Sequence, residues 1–284
     1  MGAARVRKSK RTLRRICDQA TPGATPLRRS LAIDRDVRLF LLWVTLGAMR
    51  LVAAVELALP VRVAEALSGT EFSPRVAGLS REAREAAVVA EVKSGKVPGW
   101  WRRLVEVRMG DAVIAVSPDY GGMATDDDSW LAPLTPGTAQ AIADELGCVL
   151  PTRKMVEAIW RAVPVKLAPA PIVPGKAMAT VPVFSPHHTT VRAQREEALA
   201  VYPFGTLVAG RKKDGVITPR LETAADRVAI HGWHRLEGTA IQPLYLGHAA
   251  TWAGYNHGVR LVRSAMRVGG RATPVEAVLA DPVR

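Results

Sequence analysis

The chain has 284 residues, 48% of them hydrophobic, with 23 glycines and 20 prolines. That composition excludes a disordered or collagen-like chain and allows one large domain or two small ones with a core that needs no staples. The net charge of +13 is concentrated in a tail, since residues 1–38 hold eleven Lys and Arg against three acids. No aromatic-interleaved basic stripe or known reader motif follows, so nucleic acid is not the favoured partner. Two cysteines, Cys17 and Cys148, rule out a disulfide framework and a cysteine-rich zinc site.

Residues 1–67 read as a basic tail and an apolar targeting-like segment. The run L-F-L-L-W-V-T-L-G-A-M (39–49) follows Arg35 and Arg38 and is interrupted by Arg50 and Glu56. It falls short of the roughly 20 apolar residues of a spanning helix, so no stable transmembrane helix is favoured. Its length suits the hydrophobic region of a signal peptide, and V-A-E-A at 63–66 offers small residues for cleavage. The expected location is secreted or periplasmic.

Residues 68–163 read as a helix and strand lobe. Ser80 caps a helix with Glu82 in its first turn and Ser94-Gly95 at its end. Leu104 to Val116 alternates as two strands turning at Gly110-Asp111. Trp100 and Trp101 read as core, and Asp126 to Asp128 as an acidic solvated turn lacking the spacing of a calcium loop. Thr135-Pro136 and Pro151-Thr152 start two helices that would form a compact hairpin, with Cys148 a buried apolar residue in its turn.

Residues 164–186 hold six prolines and read as an extended connection. Residues 187–284 form the expected β-rich lobe. A helix starting at Ser185-Pro186 would place His187 and His188 at the surface or in a groove. The segment from Leu207 to Thr218 reads as a hairpin with a polar centre containing Lys213 and Asp214. V-A-I-H-G-W-H-R is a strand in which His231 and Trp233 share one face and His234 takes the other, unless Gly232 breaks it. His248, Trp252 and Tyr255 would align on a short helix. The fold class expected is therefore α+β, with an N-terminal lobe containing a helical hairpin, a proline-rich connection and a C-terminal β-rich lobe.

Four of the six histidines fall between Val228 and Val262, and none precedes residue 187. This crowding marks the candidate site. His231, His257, Asp214 and Lys213 are its candidate catalytic residues, with a histidine as general base and Asp214 orienting one of them. His234 and His248 are candidate ligands for zinc. Arg260, Trp233, Trp252, Tyr245 and Tyr255 are candidate substrate-binding residues. Glu237 is the only acid inside the stretch.

Three blocks resemble a family of uncharacterised, mostly exported bacterial proteins. They are G-x-V-P-x-W-x-R-x-L-V (95–105), the L-x-P-L-T-P…L-G-C-x-L-P-T-R-K-M-V…I-W block (131–160) and L-Y-x-G-H-x-A-x-W…Y-x-H-G-x-R-L-V (244–262). The resemblance implies export and a single functional unit over about residues 68–282, and no activity. I-H-G (230–232) and H-G-V-R-L (257–261) also resemble the L,D-transpeptidase pattern, which implies a β-rich groove meeting a carboxylate through Arg260. Val259 stands where that family has its nucleophilic cysteine, so its mechanism does not carry over. The expected function is an exported, cell-envelope hydrolase acting on cell-wall peptide or glycan. The alternatives are a non-catalytic module binding cell-wall polymer, and a β core in which these side chains only satisfy one another.

Overall fold

The computed structural model describes residues 55–62 and 66–281. The basic tail, the apolar run 39–49 and positions 63–65 of the expected cleavage site lie outside the described residues. The chain opens with β1 (Val55–Glu56), α1 (Gly69–Ala77) and α2 (Arg81–Lys93). β2 (Arg103–Met109) and β3 (Ala112–Val116) form a hairpin, and β4 (Met123–Ala124) and β5 (Ser129–Trp130) a shorter one. Next come α3 (Pro136–Glu145), β6 (Cys148–Val149), α4 (Arg153–Ala162), β7 (Val165–Lys166) and α5 (Val181–Ala198). The last third supplies β8 (Val208–Ala209), β9 (Lys213–Gly215), β10 (Arg227–His234), β11 (Ala240–Ala249) and β12 (His257–Gly258). It ends with β13 (Val262–Arg263), β14 (Ala265–Val268), β15 (Arg271–Pro274) and α6 (Val275–Ala280). Helix at 35% and strand at 26%, mixed along the chain, make this an α+β fold.

Two sheets set the architecture. The first runs β1-β2-β3-β13-β6, with β14 also on β3 and β15 on β14. The second runs β11-β10-β9-β12, antiparallel except for the parallel β9–β12 contact. β13 pairs Val262 with Val116, and β14 pairs Arg267 with Val113. The last strands therefore complete a sheet begun before residue 117. The described residues fall in one compact unit, and the first sheet takes strands from both sides of the proline-rich stretch.

Local signals explain most helix starts. Ser80 Oγ accepts from Ala83 N at 3.2 Å and Thr152 Oγ1 from Met155 N at 3.2 Å, each satisfying an orphan donor. The helical hairpin expected over 135–162 does not form. β6 between the two helices is taken into the first sheet, α3 packs on α2, and α4 lies on β2 and β10. Trp100, Trp101 and Cys148 are buried, as expected. Of the three aspartates, Asp127 is exposed, as expected of a solvated turn, while Asp126 accepts from Gly99 N, and Asp128 from Thr70 N at 3.1 Å and Arg192 Nη1 at 2.7 Å.

The proline-rich stretch has no regular structure from 167 to 175, but α5 starts at Val181, earlier than expected. Val181, Phe184, His188, Val191 and Arg195 recur at helical spacing and form its buried face. Pro182 falls in the first turn, where its missing N–H costs nothing. His187 and His188 are consequently buried rather than at the surface, and His188 lines a groove between α1 and α5.

Candidate functional site

α4 buries Met155, Val156, Ile159 and Trp160 against β2 and β10. That contact brings Glu157 to the end of β10. Residues three apart on a regular strand face opposite sides. β10 is not regular there: Gly232 has φ +99°, Trp233 has φ +56°, and the register with β11 shifts between Ile230 and Gly232. Left-handed backbone at two successive residues reverses the pleat locally, so His231 and His234 turn to the same side. Glycine accepts that geometry freely. Trp233 does not, and a non-glycine residue held there costs on the order of 1–3 kcal/mol.

His231 Nε2 lies 2.7 Å and His234 Nε2 3.2 Å from the same Glu157 oxygen, Oε1. Both imidazoles are buried, while the Glu157 side chain keeps 34% exposure and opens the cluster to solvent. Burial pushes the Glu157 carboxyl up, but the hydrogen bonds from His231 and His234 outweigh it and the pKa is lowered. His234 stacks on Trp160 with centroids 4.9 Å apart. One ligand atom from each of Glu157, His231 and His234 lies within 4.8 Å of the others, the only such group of three among the described residues.

Two imidazoles and a carboxylate form a ligand set used for catalytic zinc and for non-haem iron. A tetrahedral zinc with bonds near 2.0–2.1 Å holds its ligand atoms about 3.3 Å apart. Separations of 2.7 and 3.2 Å need to open by only a fraction of an ångström. One feature departs from the usual pattern, in which the second ring nitrogen is hydrogen-bonded. His231 Nδ1 is buried without a protein partner.

Behind His231 the ladder continues to Asp214 on β9 and then Gly258 on β12. Asp214 accepts from Tyr120 Oη at 3.1 Å and Arg260 Nε at 3.4 Å. Burial raises its pKa despite Arg260 and Tyr120. Arg260 also donates to the Ser117 and Val208 carbonyls at 2.9 and 2.8 Å and lies 4.3 Å over the Tyr120 ring. It is 1% exposed. The residue expected to meet a substrate carboxylate therefore spends its donors inside the protein. Gly258 is needed for this packing, since a Cβ there would fall 2.3 Å from Tyr120 Cδ1.

The next ladder row faces the other way. Lys213 pairs with Gly232 on one side and His257 on the other, so Lys213 and His257 share the face opposite Asp214 and His231. Lys213 Nζ donates to Gln242 Oε1 at 3.0 Å and lies 5.4 Å from the Trp233 ring. The His248 ring is 6.4 Å from His257, 5.4 Å from Trp252 and 5.2 Å from Tyr245. Trp252 reaches His248 without the expected short helix, because β11 runs on to Ala249 and a turn follows. Beside this row, buried Lys212 donates to the Tyr255 carbonyl at 2.5 Å and sits 3.3 Å from His187 Nδ1.

The expected site residues thus fall into separate groups. His231 and His234 join with Glu157, and Asp214 backs them. Lys213, His248 and His257 form a second cluster, rimmed by half-buried Trp252 and exposed Tyr245. His248 is therefore no partner to His234 in the one three-ligand group among the described residues. Trp233 and Tyr255 are buried between β10 and the Lys212 region. Glu237 is exposed in the β10–β11 turn. Glu157 was missed in sequence because it lies 74 positions from His231, with no spacing rule to connect them. Its one local signal is an acid flanked by the buried positions Val156 and Ala158.

A groove of about 590 Å³ between α1 and α5 lies apart from both clusters and is walled by Pro74, Trp130, Val181 and His188. No helix among the described residues is long and apolar enough to cross a membrane. No protein-family model, curated protein or solved structure matches this chain.

Proposed function

We propose that this protein is a metal-dependent hydrolase whose divalent ion is held by Glu157, His231 and His234. The observation that carries the reading is the convergence of three ligand atoms within 4.8 Å, achieved by left-handed backbone at Gly232 and Trp233. Strain of that kind concentrates where geometry serves a site. The ion would be zinc or a similar first-row metal, supplying Lewis acidity to a bound water or carbonyl. His231 and His234 fix the position from the buried side, and Glu157 completes the set from the solvent side. Trp160 holds the His234 ring in plane. Asp214, fastened by Tyr120 and Arg260, keeps the ladder row under His231 rigid.

Cell-wall peptide or glycan is the substrate class, and the envelope the location. The leader-like apolar run and the I-H-G…H-G-x-R pattern support these two points. The test is purified protein loaded with zinc and incubated with isolated cell walls. Release of soluble fragments that is lost on chelation and in Glu157→Gln, but kept in His248→Ala, supports the reading. Fragment release unchanged by chelation, or no release from fully metal-loaded protein, would overturn it.

A further inference from the structure

Lys213, His248 and His257 pose a different chemical question. Lys213 is half-buried on β9, and its polar and ring partners, Gln242 and Trp233, are both neutral. No ion pair to Lys213 exists among the described residues. His257 is 4% exposed, and its Nε2 is buried without a partner. The charged groups acting on His257 are Lys213, His248 and Lys212, and the one acting on His248 is Lys213. Burial lowers Lys213 to about 8, and burial with Lys213 lowers His257 to about 3. Most buried cations are paired, because an unpaired one loses hydration with nothing in return. Here an ammonium and an idle ring nitrogen share one sheet face and have no counter-charge.

We propose that this face is a binding site for a small oxyanion, a carboxylate or phosphate group, whose attached flat or sugar moiety rests on Tyr245 and Trp252. Lys213 supplies the charge. His257, in its Nε2–H tautomer, supplies a directed donor, and His248 a second donor nearer solvent. Tyr245 is 42% exposed and Trp252 half-buried, so the rim gives an entry path and two aromatic surfaces. Arg260 contributes nothing, being spent on Asp214 and two carbonyls. The site is independent of the metal cluster, since the ladder turns the two to opposite faces.

The experiment uses the full chain stripped of metal, at low ionic strength, titrated separately with inorganic phosphate and with acetate. Histidine ring NMR signals and tryptophan fluorescence are read. Saturable shifts of the His248 and His257 signals at about millimolar concentration are expected. The better of the two ions identifies the oxyanion. Lys213→Met should weaken binding by at least about tenfold while leaving the ligand-free melting temperature unchanged or raised. A merely structural lysine would instead lower it. Glu157→Gln should bind the oxyanion as the parent does, which separates this site from the metal reading. Absence of saturable shifts with both ions, or equal binding by Lys213→Met, would overturn the proposal.

Discussion

Two pairs of imidazoles lie on one four-stranded sheet and differ in what surrounds them. His231 and His234 share a carboxylate, with Asp214 behind. His248 and His257 share an ammonium, and no carboxylate pairs with it among the described residues. The residue type is the same, and the neighbours' charge sets the chemistry. A carboxylate between two imidazoles makes a place for a cation, whereas a lysine beside two imidazoles makes a place for an anion. The difference follows from register: the successive residues Lys213 and Asp214 of β9 point to opposite faces.

The largest effect that separates the faces is expected at Arg260. Replacing it by Ala leaves Asp214 buried without a counter-charge, keeping only the Tyr120 hydroxyl, which should cost about 3–5 kcal/mol in denaturant unfolding. A change confined to ligand binding would mean that Arg260 belongs to a site instead. Next is Gly232→Ala. Its Cβ would sit at φ +99° and 3.2 Å from Val156 Cγ1. A loss of about 1–3 kcal/mol is expected, with metal affinity falling and oxyanion binding kept. Equal loss of both would show that the faces are not independent.

Two predictions concern pH. Lys212 is fully buried, and burial lowers its pKa to about 7 from 10.5. Between those values the unfolded chain holds one more proton than the folded chain, so stability rises with pH across that window. Lys212→Met should flatten the rise, as read by melting temperature against pH. His187, His188 and His257 are lowered from 6.5 to about 3, chiefly by burial. The unfolded chain again binds more protons, so stability should fall as pH drops from about 6.5 towards 3. An acid-insensitive melting temperature would mean that these rings take up protons while folded. The smallest effect is expected for Trp252→Ala, which sits on the rim. Oxyanion-ligand affinity should drop only a few-fold, with little change in stability.

The sequence makes part of this legible. The Ser80 and Thr152 caps, the β2–β3 hairpin and the crowding of histidines before Val262 rest on local chemistry. The rest depends on contacts between distant positions. Nothing near Glu157 tells that α4 will cross β10, so the third ligand was invisible. Nothing in G-W-H announces that tryptophan will take a left-handed conformation, although the reversal at Gly232 was the one way to place His231 and His234 together. Val181 and Phe184 already carried the α5 pattern, yet the prolines around them hid it. Four imidazoles close in sequence invited a single cleft, and two-residue strand periodicity divided them instead.

X-ray absorption at the zinc edge of zinc-loaded protein tests the central claim most directly. The expected spectrum has two imidazoles and one carboxylate among the ligands at about 2.0–2.1 Å, and one imidazole disappears in His234→Ala. A spectrum unchanged by His234→Ala but altered by His248→Ala, or a protein that retains no zinc, would contradict it.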